Sequence, residues 1–254
     1  MKLDSFKLKI IAMILMVLDH LPKAFNNTPI WFGWLGRLVA PIFFFFVAEG
    51  FFHTKSKSKY LIRLFGWGAI MFLGSSILNY ALPGKEPLQN NIFLSLGLSV
   101  LLMCIIDYTR KSKNYKSGIP LAIVVGILAL FTEASFDGVL MTLVFYFFRE
   151  DKIKLSIGYI LISLFEFIMV SGEGLTYLNL FVLNYQWLMI FALPLILMYN
   201  GERGLNNKFM IFALPLILMY NGERGLNNKF IKYMFYAFYP IHLWIITIIS
   251  HFLK

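Results

Sequence analysis

Asp19 and His20 stand side by side in the apolar string MILMVLDHLPKAF, just ahead of Pro22. Arg37 lies at the start of a second string, GRLVAPIFFFFVAEGFFHT, that Glu49 and His53 close, and His242 follows Pro240 in FYAFYPIHLWIITII. An ionisable side chain in such a run is expensive, so each is a candidate for function, set against a structural ion pair or a snorkelling side chain. Imidazole can serve as a general base near neutral pH, with a carboxylate elsewhere fixing its tautomer. A guanidinium can hold a carboxylate or phosphate, or neutralise an oxyanion. Helical neighbours diverge by about 100°, so Asp19 and His20 can both face a bundle interior without bonding squarely, and Asp19 has Arg37 as an alternative partner. Glu49 and His53, four residues apart, share a helix face as an acid–base or orienting pair, unless His53 simply caps the exit into Lys55, Lys57 and Lys59. Pro240 frees a backbone carbonyl and opens space beside the His242 ring.

Other polar positions are open to plainer readings. Glu133 and Asp137 sit in the short turn TEASFDG, where turn chemistry competes with an acceptor site. Glu166, within SLFEFIMV, is an intramembrane carboxylate that needs a partner. Arg63 reads as an anchor, and the loop TKSKSK suits a phosphate-rich ligand or anionic headgroups. There is no glycine-rich phosphate loop, no His–Glu metal pattern and no serine nucleophile elbow. The single cysteine, Cys104, excludes an intramolecular disulfide framework and any multi-cysteine metal site. Chemistry here would use histidines and carboxylates without metal.

The elements that must carry these residues are membrane spans. Hydrophobic residues make up 59% of the 254 and charged ones 14%, against roughly 45–50% and 25% in a soluble domain. The 27 phenylalanines predict aromatic-rich lipid-facing surfaces. Crossing about 30 Å of hydrocarbon takes about 20 helical residues. On that measure the chain is an all-α, polytopic transmembrane helix bundle of about nine spans, forming a single domain over residues 1–254. The spans fall at Leu8–Ala24, Trp34–Phe52, Tyr60–Leu82, Asn91–Asp107, Gly118–Thr132, Gly138–Phe148, Ile153–Val170, Leu175–Tyr199 and Phe230–Phe252. The first is retained, because no small-residue cleavage site follows it.

The net charge of +10 is distributed over loops between apolar runs, which is a topology signal and argues against nucleic acid as a partner. With the amino terminus cytoplasmic, nineteen of the 23 Lys and Arg residues flank the inner side, three (Lys23, Lys85 and Lys254) the outer, and Arg37 lies within a span. Met189–Phe209 reads MIFALPLILMYNGERGLNNKF and is duplicated without a change as Met210–Phe230. The apolar part of the second copy, Phe209–Tyr220, contains Pro215 and would cover about 18 Å as a helix. It is expected to be an interfacial or re-entrant insert, because a tenth span would carry Arg224, Lys229 and Lys232 outside.

Five strings in order resemble the TraX family of bacterial membrane proteins: LKIIAMILMVLDHL, GRLVAPIFFFFVAEGFFHT, KYLIRLFGWGAI, FDGVLMTLVFYFFR and FYAFYPIHLWII. The resemblance implies a multi-pass protein of the bacterial cytoplasmic membrane that acetylates a pilin-like amino terminus, with acetyl-coenzyme A as donor. Positions matching the family are Asp19, His20, Arg37, Glu49, Gly50, His53, Asp137, Tyr239, Pro240 and His242. On this reading His20 or His242 deprotonates an amine or hydroxyl acceptor, Arg37 and Asp19 complete the catalytic group, and Glu49, His53, Asp137 and Tyr239 support it. Acetyl-coenzyme A docks against Lys55, Lys57, Lys59 and Arg63. The partners are the bilayer and a pilin-like or cell-envelope acceptor. Two rival classes use the same residues: a proton-coupled transporter or lipid flippase, and a non-catalytic partner in assembling surface structures.

Overall fold

A stripe of every fourth residue, Leu8, Ala12, Met16 and His20, is buried along the first helix, so the periodicity that packs three apolar side chains also turns His20 inward. The structure is a computed structural model that describes residues 5–82, 87–199 and 229–253. The helices are α1 (Ser5–Ala24), α2 (Trp31–Gly36), α3 (Val39–His53), α4 (Lys57–Ala81), α5 (Ile92–Ser112), α6 (Tyr115–Leu130), α7 (Ser135–Phe147) and α8 (Lys152–Ser171). They are followed by α9 (Ala192–Leu197) and α10 (Lys229–Phe252). No strand occurs among the described residues.

Five helical segments there are long and apolar enough to cross a membrane: Trp31–His53, α4, α5, α8 and Tyr233–Phe252. α1 carries Lys7, Lys9, Asp19 and Lys23 and is not among them, while α6 and α7 are apolar but shorter. The expected span Leu175–Tyr199 is not one helix. It is a π-helical segment at Leu178–Leu183, a 3₁₀ turn at Gln186–Phe191, and α9. Asn184 causes the break: its backbone is extended, and its carboxamide oxygen accepts from the Gln186 N–H at 3.2 Å, the local bond by which asparagine competes with helix. Two indoles satisfy carbonyls of the broken stretch. Trp34 Nε1 donates to Phe181 at 2.7 Å and Trp187 Nε1 to Leu180 at 2.9 Å. Tyr159 of α8 donates to the Met189 carbonyl at 2.6 Å, pinning the 3₁₀ turn. The second copy of the duplication lies outside the described residues, apart from the first residues of α10.

α5 is central, with Val100 and Met103 fully buried, whereas α4 is peripheral, with Ile62, Phe72, Leu73 and Ile77 exposed. The phenylalanines divide between the outer surface, where Phe72, Phe131, Phe136 and Phe165 are exposed, and the interior. Phe44, Phe45, Phe51, Phe93 and Phe145 are all core, and Phe45 meets Phe145 and Tyr199 edge to face. Flat rings fill the gaps between diverging helices and gain from edge contacts. The exposed faces of α4, α6 and α8 are mostly aliphatic, with Ile62, Leu73 and Ile77 on α4 and Ile119, Ile123 and Ile127 on α6. Such faces suit lipid tails.

Basic loops gather at one end of the bundle. The Lys57 ammonium bonds the Phe51 carbonyl and lies over its ring, Arg110 lies over Phe147, and Arg149 bonds Glu49 at 2.6 Å. Asp151 caps α8 there by accepting from Ile153 and Lys154 N–H, and these bonds hold its carboxyl below the usual range.

Candidate active site

At the opposite end a cavity of about 380 Å³ opens among α1, α3, α5, α7 and α10. Its floor is apolar, with Met16, Phe43, Leu96, Met141 and Phe235, and its rim carries Asp19, Lys23, Arg37, Asn90, Glu133, Asp137 and Gln186. His20 reaches its wall and is 4% exposed.

The two histidines of α1 and α10 bond directly, His20 Nδ1 to His242 Nε2 at 3.0 Å. The direction of that bond follows from the next one. His242 Nδ1 lies 2.7 Å from the Phe238 carbonyl, which only accepts, so Nδ1 of His242 carries the proton and its Nε2 offers a lone pair. His20 must then donate from Nδ1, which leaves the lone pair of neutral His20 on Nε2. That nitrogen stands 3.8 Å from Asp19 Oδ2, outside bonding distance. The angular divergence of adjacent helical residues anticipates this separation.

Asp19 pairs instead with Arg37, whose Nη2 donates to Oδ1 at 2.6 Å, and with Lys23 at 3.2 Å. Gly36 makes the approach possible, since a Cβ there would fall on the Asp19 carboxylate. Arg37 Nη1 donates to Gln186 Oε1 at 3.0 Å, and Gln186 Nε2 donates to Asp137 Oδ2 at 3.1 Å. Arg37 Nε is buried with no partner among the described residues. Asp137 also meets the Glu166 carboxyl, the partner that Glu166 required.

Glu133 occupies the turn before α7. Asn90 Nδ2 donates to Oε1 at 2.9 Å, and the Tyr239 hydroxyl lies 3.0 and 3.1 Å from its two oxygens. Ser95 of α5 fixes this turn by donating to Thr132 Oγ1 at 2.9 Å and accepting from the Ala134 N–H at 3.1 Å. The carboxyl is crowded by protein yet reached by water through the cavity mouth. Burial pushes it above the usual carboxylate range, against the pull of the Asn90 bond, the Lys23 charge and the Tyr239 bond.

Of the residues singled out by sequence, Asp19, His20, Arg37, Asp137, Tyr239 and His242 come together here. Glu49 and His53 do not: they sit at the far end of α3, where Glu49 pairs with Arg149 and His53 Nδ1 bonds the Glu49 carbonyl at 2.8 Å. Lys55, Lys57 and Lys59 lie at that end, about 20 Å along the helix from Ala40, and Arg63 is about 9 Å into α4. Lys57 is engaged with Phe51, and Arg63 lies over Tyr60. Sequence reading missed Gln186 and Asn90, and left Glu133 between turn chemistry and an acceptor site. Gln186 did leave a signal, a carboxamide inside a stretch taken for a membrane span.

Bilayer-length helices around a buried histidine pair and a charged cavity define a helical membrane protein with a polar interior site. Residues 5–250 match the family described as "TraX protein", and the chain belongs to the TraX family. It is similar to the protein named "Probable fimbrial assembly protein FimC, serogroup H1" of Dichelobacter nodosus, at 26% identity over 267 residues that cover 99% of this chain and 97% of that one. No solved structure matches the chain.

Proposed function

We propose that this protein is a membrane-embedded acyltransferase that moves acetyl from acetyl-coenzyme A to an amine or hydroxyl acceptor, with His20 as the general base. The observation that carries this reading is the direction of the His20–His242 bond, which leaves the Nε2 lone pair of His20 at a cavity that also holds Arg37. In the reaction, Nε2 takes a proton from the acceptor N–H or O–H as the acceptor atom bonds the thioester carbonyl carbon. The carbonyl oxygen gains negative charge within reach of the Arg37 guanidinium, which keeps an unbonded Nε–H. Collapse breaks the C–S bond, and the departing thiolate takes the proton from His20, giving acetylated acceptor and free coenzyme A. Asp19, at 3.8 Å, favours the imidazolium while it exists.

The finer topology belongs to the same proposal: about nine spans, amino terminus inside, in the bacterial cytoplasmic membrane. The gathering of Lys57, Arg110 and Arg149 at one end supports it, because basic loops favour the cytoplasmic face. The diphosphate of the donor would meet Lys55, Lys57, Lys59 and Arg63 there, with its thioester arm running along the bundle toward Arg37. The fimbrial-assembly name of the relative supports a pilin-like acceptor.

The Asp137–Glu166 contact supports one rival, a proton-coupled transporter, because paired carboxyls inside a bundle suit proton relay. Coenzyme A release from acetyl-coenzyme A by protein in nanodiscs separates the two. Release that needs His20, lost in a folded His20→Ala variant, supports acyl transfer. No release, together with proton-driven flux of a solute in liposomes, supports transport.

A further inference from the structure

Three carboxylates line the cavity, and their partners differ. Asp19 is neutralised by Arg37 and Lys23, and Asp137 faces Gln186 and a second carboxyl. Glu133 is held by neutral donors alone, Asn90 and Tyr239, and among the described residues no Lys, Arg or His nitrogen stands within 4.0 Å of it. Lys23, whose charge reaches Glu133 across the rim, bonds Asp19 at 3.2 Å. A carboxylate that water reaches through the cavity mouth, with no cation bonded to it, attracts a cation that enters the cavity. The surroundings suit a small organic cation. Phe93 and Tyr239 meet edge to face at 5.6 Å beside the carboxylate, and both line the cavity with Phe43 and Phe235, whose ring faces attract cations. Ser95 holds the turn rigidly, so the carboxylate is already in place.

We infer that Glu133, Asn90 and Tyr239 form a subsite for a primary ammonium group. Glu133 pairs with the charge, Asn90 and Tyr239 fix its two oxygens, and the aromatic walls lie beside it. If the acyl-transfer reading holds, on which only this last step rests, the bound ammonium is the acceptor: it first gives one proton to water at the cavity mouth, and His20 Nε2 takes the second as the amine nitrogen bonds the carbonyl carbon. The ammonium chemistry is common to a peptide amino terminus and an ethanolamine headgroup.

The test is direct binding to the full chain in phosphatidylcholine nanodiscs. The probes are a short peptide with a free amino terminus, the same peptide N-acetylated, and glycerophosphoethanolamine. The free amine should bind, the acetylated peptide should not, and Glu133→Gln should weaken binding by about 10- to 100-fold, the range for a bond to a charged group. Glu133→Asp, which keeps the charge, should recover part of it, and thermal melts of both variants establish that they are folded. Whichever amine binds in a Glu133-dependent way identifies the source. Equal binding by folded Glu133→Gln, or equal binding of the blocked peptide, would overturn the subsite. Glu133-dependent binding without coenzyme A release would leave the subsite standing and remove the acyl-transfer reading. Release with a Glu133-independent affinity would do the reverse.

Discussion

The two histidines have unequal roles because a backbone carbonyl fixes the proton of one of them. Phe238 holds the Nδ1–H of His242, His242 receives the Nδ1–H of His20, and only His20 Nε2 is left to act. His20→Ala should therefore abolish transfer. His242→Ala removes the acceptor for Nδ1–H, frees the wrong tautomer, and should lower turnover by about 10- to 100-fold, less than loss of the base itself. His242→Gln, whose carboxamide oxygen can accept the same proton, should recover much of that loss and restore the pH profile. If His242→Gln behaves like His242→Ala, the role is packing. Glu133 gives a second prediction through its raised carboxyl. Its folded value lies above its unfolded one, so its favourable contribution is present in full below about pH 4.3 and is lost as pH rises through the folded value. Thermal melts from about pH 4 to about pH 8 should show a flatter profile for Glu133→Gln, with stability at neutral pH at or above that of the parent. A variant with the same slope would contradict this account. The histidines, Asp19 and Arg37 were legible in the sequence because ionisable groups in apolar runs are conspicuous. Glu133 was masked by its turn, where an acidic residue needs no explanation.

Among the elements, the segment between α8 and α9 departs furthest from expectation, and it is the one that delivers Gln186 to Arg37. Hydropathy read Leu175–Tyr199 as one span because its average is apolar. The break depends on Asn184 bonding locally and on indoles and a phenol from other elements bonding the freed carbonyls, and contacts between elements leave no trace in a hydropathy average. α1 and α4 fell within three residues of their expected bounds, and α5 ran five residues past its expected end at Asp107. Tyr159→Phe tests the pinned turn. It strips the hydroxyl from the buried Met189 carbonyl, which should cost about 1–3 kcal/mol of stability by thermal melt. If the turn positions Gln186, transfer should also fall at temperatures where the variant is still folded. A full loss of stability with unchanged turnover would assign Tyr159 to folding alone.

For the molecule as a whole, the basic end was legible from loop charge, and the aliphatic outer faces of α4 and α6 agree with a bundle whose periphery meets lipid. The interior packing was not legible, since twelve-residue apolar runs do not say which side chains meet. The duplication raises a question at this scale: does the bundle need both copies? In the first copy, Met189 and Ala192 are fully buried, and Leu193 and Ile196 are nearly so, so one copy is built into the core. Removing residues 210–230 keeps that copy and leaves GLNNKF joined to IKYMFY, the same sequence that now leads into α10. The gap to be bridged is short. Tyr199 packs on Phe46 with ring centroids 5.7 Å apart, and the Lys9 ammonium lies 5.0 Å from the Phe46 centroid and 5.3 Å from that of Phe235 on α10. Nine residues of extended chain reach about 30 Å, ample for this separation plus the first turns of α10. The shortened chain should therefore keep the His20–His242 pair. Its melting temperature should lie within about 2 °C of the parent's, since loop closure changes slowly with length, and its coenzyme A release should depend on His20 in the same way. A collapse in stability on deletion would mean that the second copy packs as a structural element in its own right.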